Sequence, residues 1–376
     1  MRIAVNTRFL LPGKLEGIGW FTYETLKRIT QQHPEHEFYF LFDRPFDSQF
    51  VFGSNVYPVV VPPPARHPLL WYLWFEWMLP AQLKKIKPDI FLSTDGYLSL
   101  KLKVPQVIVM HDLAFEHFPD HVATSAKKFY QYYSPRYAVK AKRIATVSDF
   151  TRQDIVQRYH ISAEKIDVVY NGSNETFRPL SDEEKKVVKG KFTYGENYFI
   201  YAGAIQPRKN VANLFRAFDV FKNQSGSNIK LVIAGRRAWQ TEEAMQVFEK
   251  MQFKNDVVFT GHLERSELSK LMGAATALTY VSLFEGFGIP IVEAMNANVP
   301  VITSNVSSMP EVAGEAALLV DPTNVSSIAG AMRSIATDEG LRQKLIEVGK
   351  IQCSKFSWQQ SADKLWSCLM KAVEEK

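Results

Sequence analysis

The chain has 376 residues, which at roughly 100–200 residues per domain argues for two domains rather than one core. With 46% apolar and 22% charged residues it is not a disordered chain, and a net charge of +6 is too weak to argue for nucleic acid as a partner. The two cysteines, Cys353 and Cys368, supply neither a disulfide framework nor a cysteine-based zinc site, and they suit a reducing cytoplasm.

In chain order, the first strand is expected from Arg2, which leaves no room for a secretion leader. Short apolar runs then mark strands at Arg2–Asn6, Glu37–Phe42, Val56–Val61, Asp89–Ser93, Gln106–Met110, Arg143–Val147 and Asp167–Tyr170. The second half repeats the pattern at Tyr198–Ala202, Lys230–Ala234, Val257–Thr260, Ala277–Val281, Val301–Thr303 and Ala317–Val320. Most of these runs are continuously apolar, as in parallel strands covered by helices on both faces. Alternation with helical stretches in both halves predicts an α/β chain of two doubly wound, Rossmann-like domains facing across a cleft. The turn-rich run Tyr170-Asn171-Gly172-Ser173-Asn174 places the boundary, giving an N-terminal domain over 1–172 and a C-terminal domain over 173–354. The helical tail 355–376 is expected to pack back toward the N-terminal domain.

Charge is unevenly spread. Through Gly172 there are 21 Lys and Arg against 16 Asp and Glu; beyond it there are 24 against 23. A front half with this excess is compatible with an anionic ligand or an anionic membrane surface, and equally with a solvated lysine-rich face. The stretch Pro68–Pro80, with Trp71, Trp74, Phe75 and Trp77, is too short to span a bilayer, which needs about 20 residues. The spacing Leu70, Trp74, Trp77, Met78 predicts a packed helix with a charged end at Lys84, Lys85 and Lys87; membrane-surface contact is the alternative.

Four segments carry chemistry. Glu285-Gly286-Phe287-Gly288-Ile289-Pro290 follows a buried strand and opens a helix, so its amides and the helix dipole form an anion site. Glu285 precedes the turn and Glu293 is expected in the first helical turn, where both carboxylates can accept from hydroxyls of a polyol. Gly203-Ala204-Ile205-Gln206-Pro207-Arg208-Lys209-Asn210 also follows a strand. Its adjacent cations suit a diphosphate, and Asn210 is expected to cap the next helix. Gly17-Ile18-Gly19 reads as a flexible ligand-approaching loop; its glycines only superficially match a dinucleotide fingerprint, because Thr22 stands where the third glycine belongs. His111-Asp112 ends another buried strand, where the imidazole can donate to or polarise a hydroxyl.

Together with Asn171-Gly172, Ser304–Glu311 and the opening Asn6-Thr7-Arg8, these segments resemble glycosyltransferase family 4, and specifically its mannosyltransferase B-like branch. The resemblance spans nearly the whole chain. It implies GT-B architecture and a retaining, metal-independent hexosyltransferase using a nucleotide sugar, with GDP-mannose as cosubstrate and no resident cofactor. By that resemblance Arg208 and Lys209 hold the donor diphosphate, with Gly203 beside them, and Glu293 holds the ribose. Glu285 and His111 contact the hexose as catalytic groups, near the amides of Phe287, Gly288 and Ile289. Gly17 and Gly19 approach the phosphates, and His262 and Leu263 pass beside the base. The implied partners are the donor and a glycan or lipid-linked acceptor. The implied location is the cytoplasm, with peripheral contact at the inner membrane face through the basic N-terminal domain. A nucleotide-sugar epimerase, a glycan phosphorylase and a non-catalytic nucleotide-sugar-binding protein are the rival readings.

Overall fold

The computed structural model describes residues 1–237 and 241–375; Lys376, the last residue of the expected tail, lies outside them. The chain divides into two units, Met1–Asn171 with Ser357–Lys376 and Gly172–Phe356.

In the first unit the strands are β1 (Arg2–Asn6), β2 (Glu37–Phe42), β3 (Val56–Val60), β4 (Ile90–Ser93), β5 (Gln106–Met110), β6 (Arg143–Thr146) and β7 (Ile166–Val168). They pair in the order β3-β2-β1-β4-β5-β6-β7, every pair parallel. Consecutive residues such as Ile3, Ala4 and Val5 are all fully buried, which is the pattern of strands covered on both faces. The terminal helix Trp358–Glu374 belongs to this unit. Trp358 meets Phe21 edge-on, Trp366 stacks on His33 at 3.8 Å, and Glu375 pairs with Arg143 at 2.8 Å.

The second unit holds β8 (Tyr198–Ala202), β9 (Lys230–Ala234), β10 (Val257–Gly261), β11 (Ala277–Tyr280), β12 (Val301–Ser304) and β13 (Ala317–Val320). Their order is β10-β9-β8-β11-β12-β13, again with parallel pairs throughout. Both sheets therefore follow the doubly wound scheme in which strand order reverses beside the first strand of the unit. Ligands of such sheets bind beyond the carboxyl ends of the strands at that reversal, here β1/β4 and β8/β11.

Two expectations are corrected at this level. Gly17 and Gly19 are not a loop: they open the helix Gly17–Gln32. A Cβ at Gly19 would lie 2.9 Å from the Phe9 carbonyl oxygen, so this glycine lets the helix approach that backbone closely. The Trp71–Trp77 stretch is not one regular helix either. Pro68–Leu73 passes into a π turn, Trp74–Met78, before the helix Leu79–Ile86. The extra residue rotates the register, so Trp74, Phe75 and Glu76 face inward and Trp77 faces out. Inward Glu76 accepts from the amides of Leu100 at 2.8 Å and Lys101 at 3.2 Å, and the Trp74 indole donates to the Val61 carbonyl at 2.7 Å.

Candidate functional site

The reversal point of the second sheet is where the two charged segments emerge. Gly203 follows β8 with φ 147° and donates to the Ala234 carbonyl at 2.9 Å. The β9 loop comes so near that a Cβ at Gly235 would sit 1.9 Å from the Gly203 oxygen. Two loops packed this tightly fix the path into the 3-10 turn Pro207–Lys209, which aims both cations at the end of β11. Asn210 closes that turn in the left-handed region, φ 59°. It does not cap the next helix with its side chain. Its amide instead donates to the carbonyls of Val281 at 2.9 Å and Pro322 at 2.7 Å, tying the β8 loop to the β11 loop.

Across this junction Lys209 Nζ donates to Glu285 Oε1 at 2.6 Å and to the Tyr280 hydroxyl at 2.6 Å. Arg208 Nη1 donates to the Phe284 carbonyl at 2.7 Å and reaches Glu285 Oε2 at 3.3 Å. Glu285 is only 6% exposed. Burial pushes its carboxyl up, but Lys209 and Arg208 outweigh burial and hold it below the ordinary carboxylate range. The loop behind it is pinned by serines: Ser307 accepts from the Glu285 amide at 3.1 Å, and Ser308 donates to the carbonyls of Glu285 at 2.9 Å and Phe287 at 3.1 Å. Gly288 takes φ 98° as the residue before the helix Ile289–Asn296. Phe287 is buried edge-on against Phe356 at 5.4 Å.

Glu293 is the fifth residue of that helix, beyond the first turn expected for it, because the helix begins at Ile289. It is buried, with Arg265 Nη2 3.5 Å from its Oε1. Burial raises its carboxyl to about 7, more than Arg265 offsets. His262 is exposed and Leu263 half-buried, just after β10 and before Arg265. Arg265 and Tyr280 are the site residues that sequence reasoning missed. Tyr280 ends β11 inside the expected strand, and an apolar run does not reveal which of its hydroxyls meets a lysine.

His111, Gly17 and Gly19 belong to the first unit. His111 follows β5, meets Phe21 edge-on at 5.1 Å, and has Nε2 2.8 Å from the Thr94 carbonyl oxygen. A carbonyl only accepts, so Nε2 carries the proton; burial lowers the imidazole's pKa, and the neutral ring then presents Nδ1 as an acceptor. Of the two expected roles, the Nε2 proton is taken by Thr94, while the neutral ring can accept from a hydroxyl through Nδ1 and so polarise it. Neighbouring Asp112 accepts from the Ala114 amide at 2.9 Å. At this unit's reversal point Asn6 donates to Asp95 at 2.7 Å, and Arg8 forms a buried pair with Asp95 at 2.7 Å. Among the described residues no cluster of three His, Cys, Asp or Glu side chains could hold a metal ion.

A family model described as glycosyl transferases group 1 matches residues 182–352, and one described as Glycosyltransferase Family 4 matches residues 15–177. The O-antigen chain mannosyltransferase B of Escherichia coli is 30% identical over 74% of this chain and 73% of its own length. The chain belongs to the family 4 glycosyltransferases. The O-antigen chain mannosyltransferase RfbU of Salmonella typhimurium is 31% identical over 71% of each chain. The Anabaena protein Alr3699/HepE, solved in complex with UDP and glucose, superimposes with a TM-score of 0.79 at 16% identity, covering 99% of this chain and 100% of that one. Its likeness is one of fold, and the fold is GT-B. This family 4 glycosyltransferase is thus a nucleotide-sugar-dependent enzyme, and the β8/β11 junction is its candidate donor site.

Proposed function

We propose that the enzyme transfers mannose from GDP-mannose, with retention of configuration, to a glycan or lipid-linked saccharide at the cytoplasmic side of a membrane. The observation that carries this reading is the junction of Arg208, Lys209 and Glu285 with the helix opening at Ile289, all at the strand-order reversal. Relatives that are themselves mannosyltransferases support mannose as the sugar.

In this reading Arg208 and Lys209 hold the diphosphate, beside Gly203, where negative charge grows as the bond from the sugar C1 to the phosphate oxygen breaks. The amides of Phe287, Gly288 and Ile289 add the field of the helix terminus. Glu285 keeps the cations placed and accepts from a hexose hydroxyl; Glu293 accepts from the ribose, and His262 and Leu263 lie along the base. Through Nδ1, His111 accepts from a hexose hydroxyl. The acceptor oxygen attacks C1 on the face the diphosphate leaves, and its proton passes to the departing phosphate oxygen. No resident cofactor or metal enters these steps.

Incubation with a panel of labelled UDP- and GDP-sugars without acceptor tests the donor. Slow hydrolysis confined to GDP-mannose is expected; turnover of UDP-sugars alone would overturn the donor assignment.

Glu293 gives the reading a pH signature. Its carboxyl, raised to about 7 in the fold from an ordinary 4.5, binds more protons folded than unfolded between those values. Its contribution therefore lowers stability as pH rises from 4.5 to 7, and ribose binding, which uses the ionised form, strengthens across that range and levels off above 7. GDP-mannose affinity, measured calorimetrically, is expected to weaken by up to about tenfold per pH unit below 7. The Glu293→Gln variant should bind more weakly and without that slope; an unchanged slope counts against Glu293 as the ribose ligand.

A further inference from the structure

Three motifs singled out in the sequence meet at the strand-order reversal of the first unit: Asn6-Thr7-Arg8 after β1, the helix opened by Gly17 and Gly19, and His111 after β5. They converge on one peptide group, the one joining Thr94 to Asp95 just beyond β4. Its carbonyl oxygen is the atom 2.8 Å from His111 Nε2.

Both residues of that peptide are held. On one side the buried Asp95 carboxylate accepts four hydrogen bonds. Oδ1 takes those of Asn6 at 2.7 Å and Ser93 at 3.0 Å, and Oδ2 takes those of Arg8 Nε at 3.1 Å and Nη2 at 2.7 Å. Arg8 is itself fixed: Nη1 donates to the Ala65 carbonyl at 3.2 Å, and the guanidinium lies 4.8 Å from the ring centres of Phe75 and Tyr97. On the other side, the single hydroxyl proton of Thr94 goes to the Asn6 carbonyl at 3.2 Å, and the Thr94 oxygen accepts from the Thr22 hydroxyl at 2.8 Å. Thr22 belongs to the helix Gly17–Gln32, whose close approach to Phe9 needs Gly19. Its neighbour Phe21 is the residue that meets the His111 ring edge-on.

We infer that this clamped peptide sets the tautomer and orientation of His111, with Asn6, Arg8, Thr22 and Asp95 as positioning residues. With the Thr94 oxygen fixed, the other tautomer would set the Nε2 lone pair against the carbonyl and leave a buried acceptor unpaired. That disfavours it by roughly tenfold or more. A carbonyl free to turn away would impose no such choice. The charged groups facing the ring, Asp95 and Asp112, both favour its protonated form; burial opposes them and prevails, so the ring is neutral and its tautomer matters. The consequence for transfer rests on the reading of His111 as a hexose contact; the state of the ring does not.

The test is NMR of the full chain with isotopically labelled histidine ring nitrogens, alongside steady-state transfer kinetics; His111→Gln assigns the His111 signals. At neutral pH the wild type should show a protonated Nε2 and a bare Nδ1. Thr22→Val and Asp95→Asn should each move both nitrogen signals toward the average of two tautomers. They should also lower kcat about ten- to a hundredfold, with donor KM changed by less than about twofold. Thr22→Ser should restore both readouts. Thr22→Val nearly keeps the side chain's shape, so it decides the matter even if Asp95→Asn, which deprives Arg8 of its counter-ion, fails to fold. Ring signals unmoved in Thr22→Val, with or without a loss of activity, would overturn the clamp. Moved ring signals together with full transfer by His111→Ala would leave the clamp standing and remove the hexose-contact reading instead.

Discussion

Glu285→Ala is expected to lower transfer by at least about 100-fold while leaving nucleotide binding intact or tighter. Glu285 is the counter-ion of Lys209 and Arg208, at 2.6 and 3.3 Å. Removing it leaves two partly buried cations facing each other, which costs stability of up to about 3 kcal/mol in the ligand-free protein. The same excess charge favours a diphosphate, so GDP should raise the melting temperature more in the variant than in the wild type. Transfer falls because the hexose loses its acceptor and Lys209 loses one of the groups that aim it. Steady-state kinetics with a thermal-shift titration separates these effects. Full activity, or loss of GDP binding, would contradict the role assigned to Glu285.

The second large effect concerns the cations themselves. The Arg208→Ala, Lys209→Ala double variant should lose at least about 1,000-fold in kcat/KM for the donor, since both ground-state binding and leaving-group stabilisation go with them. The salt dependence of donor binding should shrink in parallel, because fewer charges meet the phosphates. Single variants need not sum to the double, as both side chains contact one carboxylate. Unchanged donor affinity in the double variant would remove the diphosphate assignment.

Much of the fold was legible in the chain because doubly wound sheets write themselves as continuous apolar runs. All thirteen expected strands occur among the described residues, shifted at most by a residue or two at their ends, as at Ile166–Val168 and Ala277–Tyr280. The charged loops were legible for a related reason: adjacent cations at the end of a buried strand have no apolar packing role to explain them. What escaped was set by tertiary geometry. The π turn at Trp74–Met78 brings Glu76 to the backbone amides of Leu100 and Lys101, some two dozen positions away, which no local pattern shows. Gly17 and Gly19 look like a loop until the close approach of Phe9 shows why a helix needs Gly19. Asn210 has the composition of a cap, yet carbonyls from the β11 loop and Pro322 claim its amide. The acceptor role of His111 depended on one carbonyl, Thr94, belonging to a different strand end.

The most direct measurement is a crystal structure of the protein with GDP-mannose. The phosphates are expected against Lys209, Arg208 and the amides of residues 287–289, with the ribose hydroxyls on Glu293 and the hexose beside Glu285. Phosphates bound elsewhere, with Glu285 still closing both cations, would contradict the assignment of this junction as the donor site.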